Sequence, residues 1–321
     1  MRLITEAVQA DEMAIGRFGA VSSELQRRRF LPNMRARMTA ILAAIISRQT
    51  VATELAIVGM NVILRRKKVE GELWSRFRGV TNHPADDAAS QMYAELLLTR
   101  RRIAEKILSG AADEGSSAFQ RHLLNLRIKE QRLEMELTEF MPAADLGARL
   151  SLIEGRAVAD AMPRGSALVE FLRLPLTFTD DDTVPENRYL GAVLLADKPE
   201  LPLLIDLGSA EAIDSLVAET RSALTGDVDL PSSLQGKVEH PKLARPFLEA
   251  GRQLRNKVFD PVCEALAGAR IVYLSPDGDL ARLPFAILPT SGDQYLIDSY
   301  EFRYVGAGRD LLRFRSPRPA R

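Results

Sequence analysis

The sequence predicts an α plus α/β protein: a helical N-terminal domain followed by a partial α/β domain. Three observations carry this. Residues 1–141 hold long runs rich in Ala, Leu, Ile, Met and Arg, spaced as helices are. From about residue 150 the pattern changes to short apolar runs with helical stretches between them, the alternation of a layered α/β structure. One of these runs, Ile271-Val272-Tyr273-Leu274, enters Ser275-Pro276-Asp277-Gly278, a buried strand ending in a turn where Pro fixes φ and Gly supplies φ > 0. The expected bounds are 1–145 for the helical domain, 150–314 for the α/β domain and 315–321 for an unstructured Pro/Arg-rich tail.

In the first domain, Met34–Ile46 and Val51–Lys68 read as helices without internal Pro. The basic cluster Arg65-Arg66-Lys67-Lys68 closes the second, where cations suit the carbonyl end of the helix dipole. It reads as a solvated helix end ahead of a phosphate-binding patch. Asn82-His83-Pro84 breaks the pattern, and a helix follows to about Leu108, with a stripe of Tyr93, Leu97, Arg100, Ala104 and Ile107 widened by Leu96 and Ile103. After a Gly/Ser loop over 109–117, Phe119, Leu123, Leu126, Glu130, Leu133, Leu137 and Phe140 form a heptad seam. The two helices are expected to make an antiparallel hairpin, with Glu130 reaching a cation on its neighbour or lying at an open edge.

In the second domain, strands are expected at Ala167–Leu172, Tyr189–Leu195, Leu201–Leu207, Ile271–Leu274 and Tyr300–Val305. Pro202 suits a strand start or an edge. Helices are expected at Ala210–Leu224 and Pro241–Leu266, and loops at 160–165 and 178–183.

The composition narrows the function classes. The 321 residues are 46% hydrophobic and 27% charged, as in soluble globular proteins. Forty-three Lys+Arg balance 43 Asp+Glu for a net charge of +0, which argues against a dedicated nucleic-acid binder. The single cysteine, Cys263, excludes an internal disulfide framework and, with only three histidines, a Cys-rich zinc site; it fits a reducing, cytoplasmic setting. The most apolar segment, Met38–Leu64, is interrupted by Arg48, Gln49 and Glu54, so buried helices are expected and no membrane span.

Candidate chemistry is sparse. Cys263 and His240 are the pair a cysteine nucleophile would need, yet Cys263 sits on a predicted helix and reads as a packing residue. His83 falls on a break and His122 beside the heptad seam. Asp180-Asp181-Asp182 lacks the glycine and distal glutamate of a calcium loop, and Asp277-Gly278-Asp279 reads as a turn. Gly306-Ala307-Gly308-Arg309-Asp310 follows a strand, but Asp310 stands near the place of the third dinucleotide glycine, so a tight connection is favoured over phosphate binding. No GxSxG, Walker or HExxH motif occurs. No catalytic, cofactor-binding or metal-binding residue is therefore assigned, and no cofactor is expected.

Several segments in order resemble the CHAT domain family, the caspase-like clan CD cysteine peptidases often fused to tetratricopeptide-type helices. The signature is Ser275-Pro276-Asp277-Gly278 followed by Leu283-Pro284-Phe285. Pro163–Phe171 is similar to the family's LPxGxALVEF strand, with Met162 for the usual Leu. Arg188–Leu195, Leu203–Gly208 and Tyr295–Tyr300 resemble the next strand, the xxxxDLG strand and the YLIExY turn. Val62–Lys68 and the 88–140 helical hairpin are similar to the lead-in of such fusions, so the resemblance spans roughly residues 55–314 and covers the family's N-terminal portion only. The family's HxxxHG and LSAC phrases do not occur. The resemblance thus implies the front of a caspase- or separase-like cysteine endopeptidase without its catalytic His and Cys. This chain alone is then expected to be inactive, through truncation, frameshift or a split protein. It also implies protein partners for the helical domain, an exposed apolar sheet edge and a second polypeptide carrying the catalytic half. A non-enzymatic interaction scaffold and a nucleotide-binding regulator using Gly306 to Gly308 are the alternatives.

Overall fold

The structure is a computed structural model that describes residues 4–12, 24–47, 53–69, 87–110, 116–139, 150–176, 186–225 and 245–314. They fall into two compact units, Met38–Lys67 with Ile153–Arg321, and Arg2–Arg37 with Lys68–Leu152. The helical region followed by an α/β region is as the sequence predicts. The tail over 315–321, the loop at 178–183, and His83 and His240 lie outside the described residues.

Along the chain come α1 (4–12), α2 (Glu24–Ile46), α3 (Thr53–Arg66), α4 (Asp87–Ser109), α5 (Ser116–Glu139), α6 (Gly155–Ala161), β1 (Ser166–Leu176), β2 (Glu186–Leu195), β3 (Lys198–Ser209), α7 (Ala210–Thr225), α8 (Arg245–Val258), α9 (Asp260–Cys263), β4 (Ile271–Ser275), β5 (Glu301–Tyr304) and α10 (Leu311–Phe314). Among them, no helix is long and apolar enough to cross a membrane.

In the helical unit, α4 and α5 form the expected antiparallel hairpin. Leu96 meets Leu133 and Leu137, with Met92 and Tyr93 against them. Glu130 finds its cation: Arg100 Nε donates to it at 3.1 Å and Arg100 Nη2 to Glu134 at 2.7 Å, while Lys129 pairs with Glu95 at 2.6 Å. From Phe119 to Leu137 the α5 seam is as read from sequence, with Phe140 outside the described residues, but the α4 stripe is displaced. Leu96 and Ile103 are buried, whereas Leu97 and Ile107 are 47% and 51% exposed. Leu96-Leu97-Leu98 offers an apolar residue at every helical phase, so periodicity does not choose the face here.

The α/β unit is built on a five-stranded sheet in the order β3-β2-β1-β4-β5. β1 pairs antiparallel with β2 and parallel with β4, β5 is parallel to β4, and β2 and β3 form an antiparallel hairpin. β1 and β2 read as continuous apolar runs because both faces of the sheet are covered. On one face Ala167, Val169, Phe171, Val193, Val272 and Leu274 pack with Ile213 and Val217 of α7, Leu254 and Val258 of α8, and Val262 of α9. On the other lies α3, against β3, α6 and the 308–310 turn. β3 is an edge strand, which is where Pro202 costs no ladder bond.

Two expectations need correction. The basic cluster is not a solvated helix end, because Arg65, Arg66 and Lys67 are all at least nine-tenths buried and Lys68 alone is exposed. The physical cause is that α3 is a core layer of the α/β unit. The β5 edge is only partly apolar: Tyr304 is 51% exposed, but Glu301 and Arg303 are exposed and paired at 2.6 Å, and Phe302 turns inward against Phe259. Charged side chains of this kind guard an open strand against edge-to-edge pairing.

Candidate functional site

β1, β4 and β5 run parallel, so their carboxyl ends lie on one side of the sheet, the side where open α/β sheets take ligands. Glu170 of β1 stands level with Ser275 at the end of β4. Lys67, just past α3, donates from Nζ to Glu170 Oε2 at 2.6 Å, to the Ser275 carbonyl at 2.5 Å and to Ser275 Oγ at 2.7 Å. The Lys67 and Glu170 side chains are 3% and 0% exposed. Glu170 Oε1 accepts the Gly308 N–H at 2.5 Å, and Ser275 Oγ donates to the Gly306 carbonyl at 3.0 Å. Arg309 Nη1 donates to the carbonyls of Leu64 and Lys67 at 3.0 and 2.5 Å, satisfying groups that a helix end leaves open. A buried charge persists only when it is answered in this way; removing one partner of such a pair typically costs about 3–5 kcal/mol.

The other signature residues are turn and packing groups. Asp277 Oδ2 accepts the Arg173 N–H at 3.0 Å, tying the turn to β1. Gly278 has φ +56°, and a Cβ there would overlap the Tyr189 hydroxyl and reach Arg173 Cδ at 2.8 Å. Pro276 and Leu283 are buried and Pro284 is exposed. Phe285 stacks on Phe171 with centroids 5.3 Å apart and donates its N–H to the Tyr304 hydroxyl at 2.9 Å.

Beside this turn, Tyr189 donates to Asp214 Oδ1 at 2.7 Å and accepts the Asp279 N–H at 2.9 Å, and Arg173 Nε meets Asp214 at 3.0 Å. Of these, Arg173 and Asp214 also line an open cavity of about 700 Å³, together with Glu186, Asn187, Ser209 and Glu211. Burial first, and then the Asp214 carboxylate, push the Tyr189 phenol far above its ordinary value. Burial also raises Tyr304, and with the Cys263 contact second it raises Tyr300 to about 12. A phenol whose folded pKa exceeds its unfolded value of about 10 stabilises the fold fully below pH 10 and ceases to as pH rises. Urea unfolding should therefore show stability falling from about pH 10 upward. Tyr189→Phe should flatten that slope, and phenolate absorbance at pH 10 from all six tyrosines of the folded chain would contradict it.

Cys263 lies at the opposite, amino-terminal side of the parallel strands. It is partly buried, with Sγ 3.0 Å from the hydroxyl of Tyr300, the residue before β5. His122 is exposed on α5 in the other unit, so no described residue of the α/β unit is a histidine. Among the described residues no group of three or more His, Cys, Asp or Glu could hold a metal ion. Asp180-Asp181-Asp182 lies outside them.

Sequence reasoning missed Lys67 and Glu170. Their one signal is a carboxylate inside the apolar run Ala167–Leu172, which demands a buried cation.

Residues 248–321 match the family model for the CHAT domain. The match takes in most of α8, all of β4, the Ser275–Gly278 turn, the Leu283–Phe285 block and β5. No curated protein matches the chain.

Proposed function

We propose that the α/β unit is the leading part of a caspase-like cysteine endopeptidase domain of CHAT type, whose reactive imidazole and thiol are supplied by residues outside this sequence. The observation that carries this reading is the coincidence of the matched segment with β4, its turn and β5, set parallel to β1 so that three carboxyl strand ends share one side. In such a mechanism an imidazole takes the thiol proton, the thiolate attacks a peptide carbonyl, the imidazolium returns that proton to the departing amine as the C–N bond breaks, and water hydrolyses the acyl-enzyme to free the thiol. This chain's part is to present the scaffold on which those groups dock. Cys263 is unsuited to be the nucleophile because it lies at the amino ends of the strands and contacts a phenol instead of an imidazole. The helical unit recruits protein partners in this reading, and a reducing, cytoplasmic setting suits a chain with one cysteine.

The test uses the purified chain and its Cys263→Ala variant on a panel of fluorogenic peptides. Equal, background-level cleavage is expected from both, and a cleavage lost only in the variant would sink the reading.

The scaffold alternative is favoured by exposed apolar side chains on the hairpin, Leu98, Leu108, Leu124 and Ile128. The nucleotide alternative loses support because the Gly308 N–H is already given to the Glu170 carboxylate.

A further inference from the structure

A buried ammonium holds one geometry only while each of its protons has an acceptor. Lys67 has three, and they sit on two strands: Glu170 on β1, and the carbonyl and hydroxyl of Ser275 on β4. These acceptors are joined in turn to the segment after β5, through Gly308 N–H to Glu170 and Ser275 Oγ to the Gly306 carbonyl. Arg309, from that same segment, returns to the carbonyls of Leu64 and Lys67. The bonds therefore close a circuit from the end of α3, through β1 and β4, to residues 306–309 and back.

We propose that this circuit is a conformational interlock. The last turn of α3 sets the Ser275–Gly278 turn and the 306–310 segment together, and neither shifts unless Lys67 leaves its place. A buried ion pair is a poor choice for stability alone, since apolar side chains of the same shape serve as well or better. What it supplies is an all-or-none arrangement. Its position suits control: Lys67 ends one stretch of the α/β unit, and the next residue, Lys68, with φ +52°, opens the chain's passage to the helical unit. Both held segments follow the carboxyl ends of their strands. Release of Lys67 loosens that side of the sheet as one piece and leaves the apolar core around Phe171, Val193 and Leu254 closed. Nothing in the interlock requires the peptidase reading.

Hydrogen exchange on the full chain tests it. In Lys67→Met, amides of 272–280 and 304–311 should exchange faster by at least about tenfold and by a common factor, while 189–195 and 248–258 stay within about twofold of wild type. Lys67→Met/Glu170→Leu leaves no stranded carboxylate. It should regain thermal stability yet keep both segments fast, the signature of a link and not of general support. Slow exchange of either segment in the folded double variant overturns the proposal. So do unequal factors for the two segments, uniform acceleration across the unit, or a double variant that fails to fold.

Discussion

Gly308→Ala should lower the melting temperature of the α/β unit by roughly 10 °C, and Gly308→Asp by more. A Cβ at this buried position would overlap a Leu168 methyl and come within 2.8 Å of Leu64 Cδ2 and 2.9 Å of Glu170 Oε1. Overpacking of this kind costs about 1–3 kcal/mol. Displacing the Gly308 N–H from Glu170 adds about 1–3 kcal/mol for a buried carboxylate short of a donor. Aspartate would also set a second carboxylate beside the first. Differential scanning calorimetry reads the shift. An unchanged melting temperature for Gly308→Ala would mean that the close approach of the 306–310 segment to β1 is wrong.

A fragment spanning 153–321 should fail to form a compact fold, whereas 38–67 joined to 153–321 by a short Gly/Ser linker should fold. α3 buries Leu55, Met60, Val62, Ile63 and Leu64. Each such side chain is worth about 1.5–3 kcal/mol when buried, and a whole domain is stable by about 5–15 kcal/mol. Without α3 the face of the sheet carrying Leu168 and Glu170 also loses the cation for a fully buried carboxylate. The linker can be short because Arg65 Nε donates to the Ile153 carbonyl at 2.7 Å, so the two ends to be joined are neighbours. Dye binding and amide dispersion distinguish the outcomes. A 153–321 fragment with a cooperative melt like the fusion's would overturn the assignment of α3 to this unit.

Much of the α/β unit is legible from local pattern. β1 and β2 are runs too apolar to be anything but strands covered twice, and Pro202 marks the edge that β3 occupies. The α5 seam is legible even at Glu130, because a lone carboxylate on a heptad seam asks for a cation and Arg100 provides one. What is not legible depends on distance along the chain. Lys67 lies 103 residues from Glu170, and a basic cluster ending a helix looks the same whether water or a carboxylate lies beyond it. Equally, nothing in the composition of 53–66 distinguishes a helix of the first unit from a layer of the second.

The layering of α3 on a sheet made much later also bears on biosynthesis. Arg309 closes on Leu64 across 245 residues. At about 5–20 residues per second, the ribosome takes roughly 10–50 s to deliver that closing partner. Throughout that interval a helix carrying five large apolar side chains has no finished surface to rest on. Nascent chains of this protein should accordingly be clients of ribosome-proximal holdases, with the earliest stretch captured and released only when the last strand has emerged.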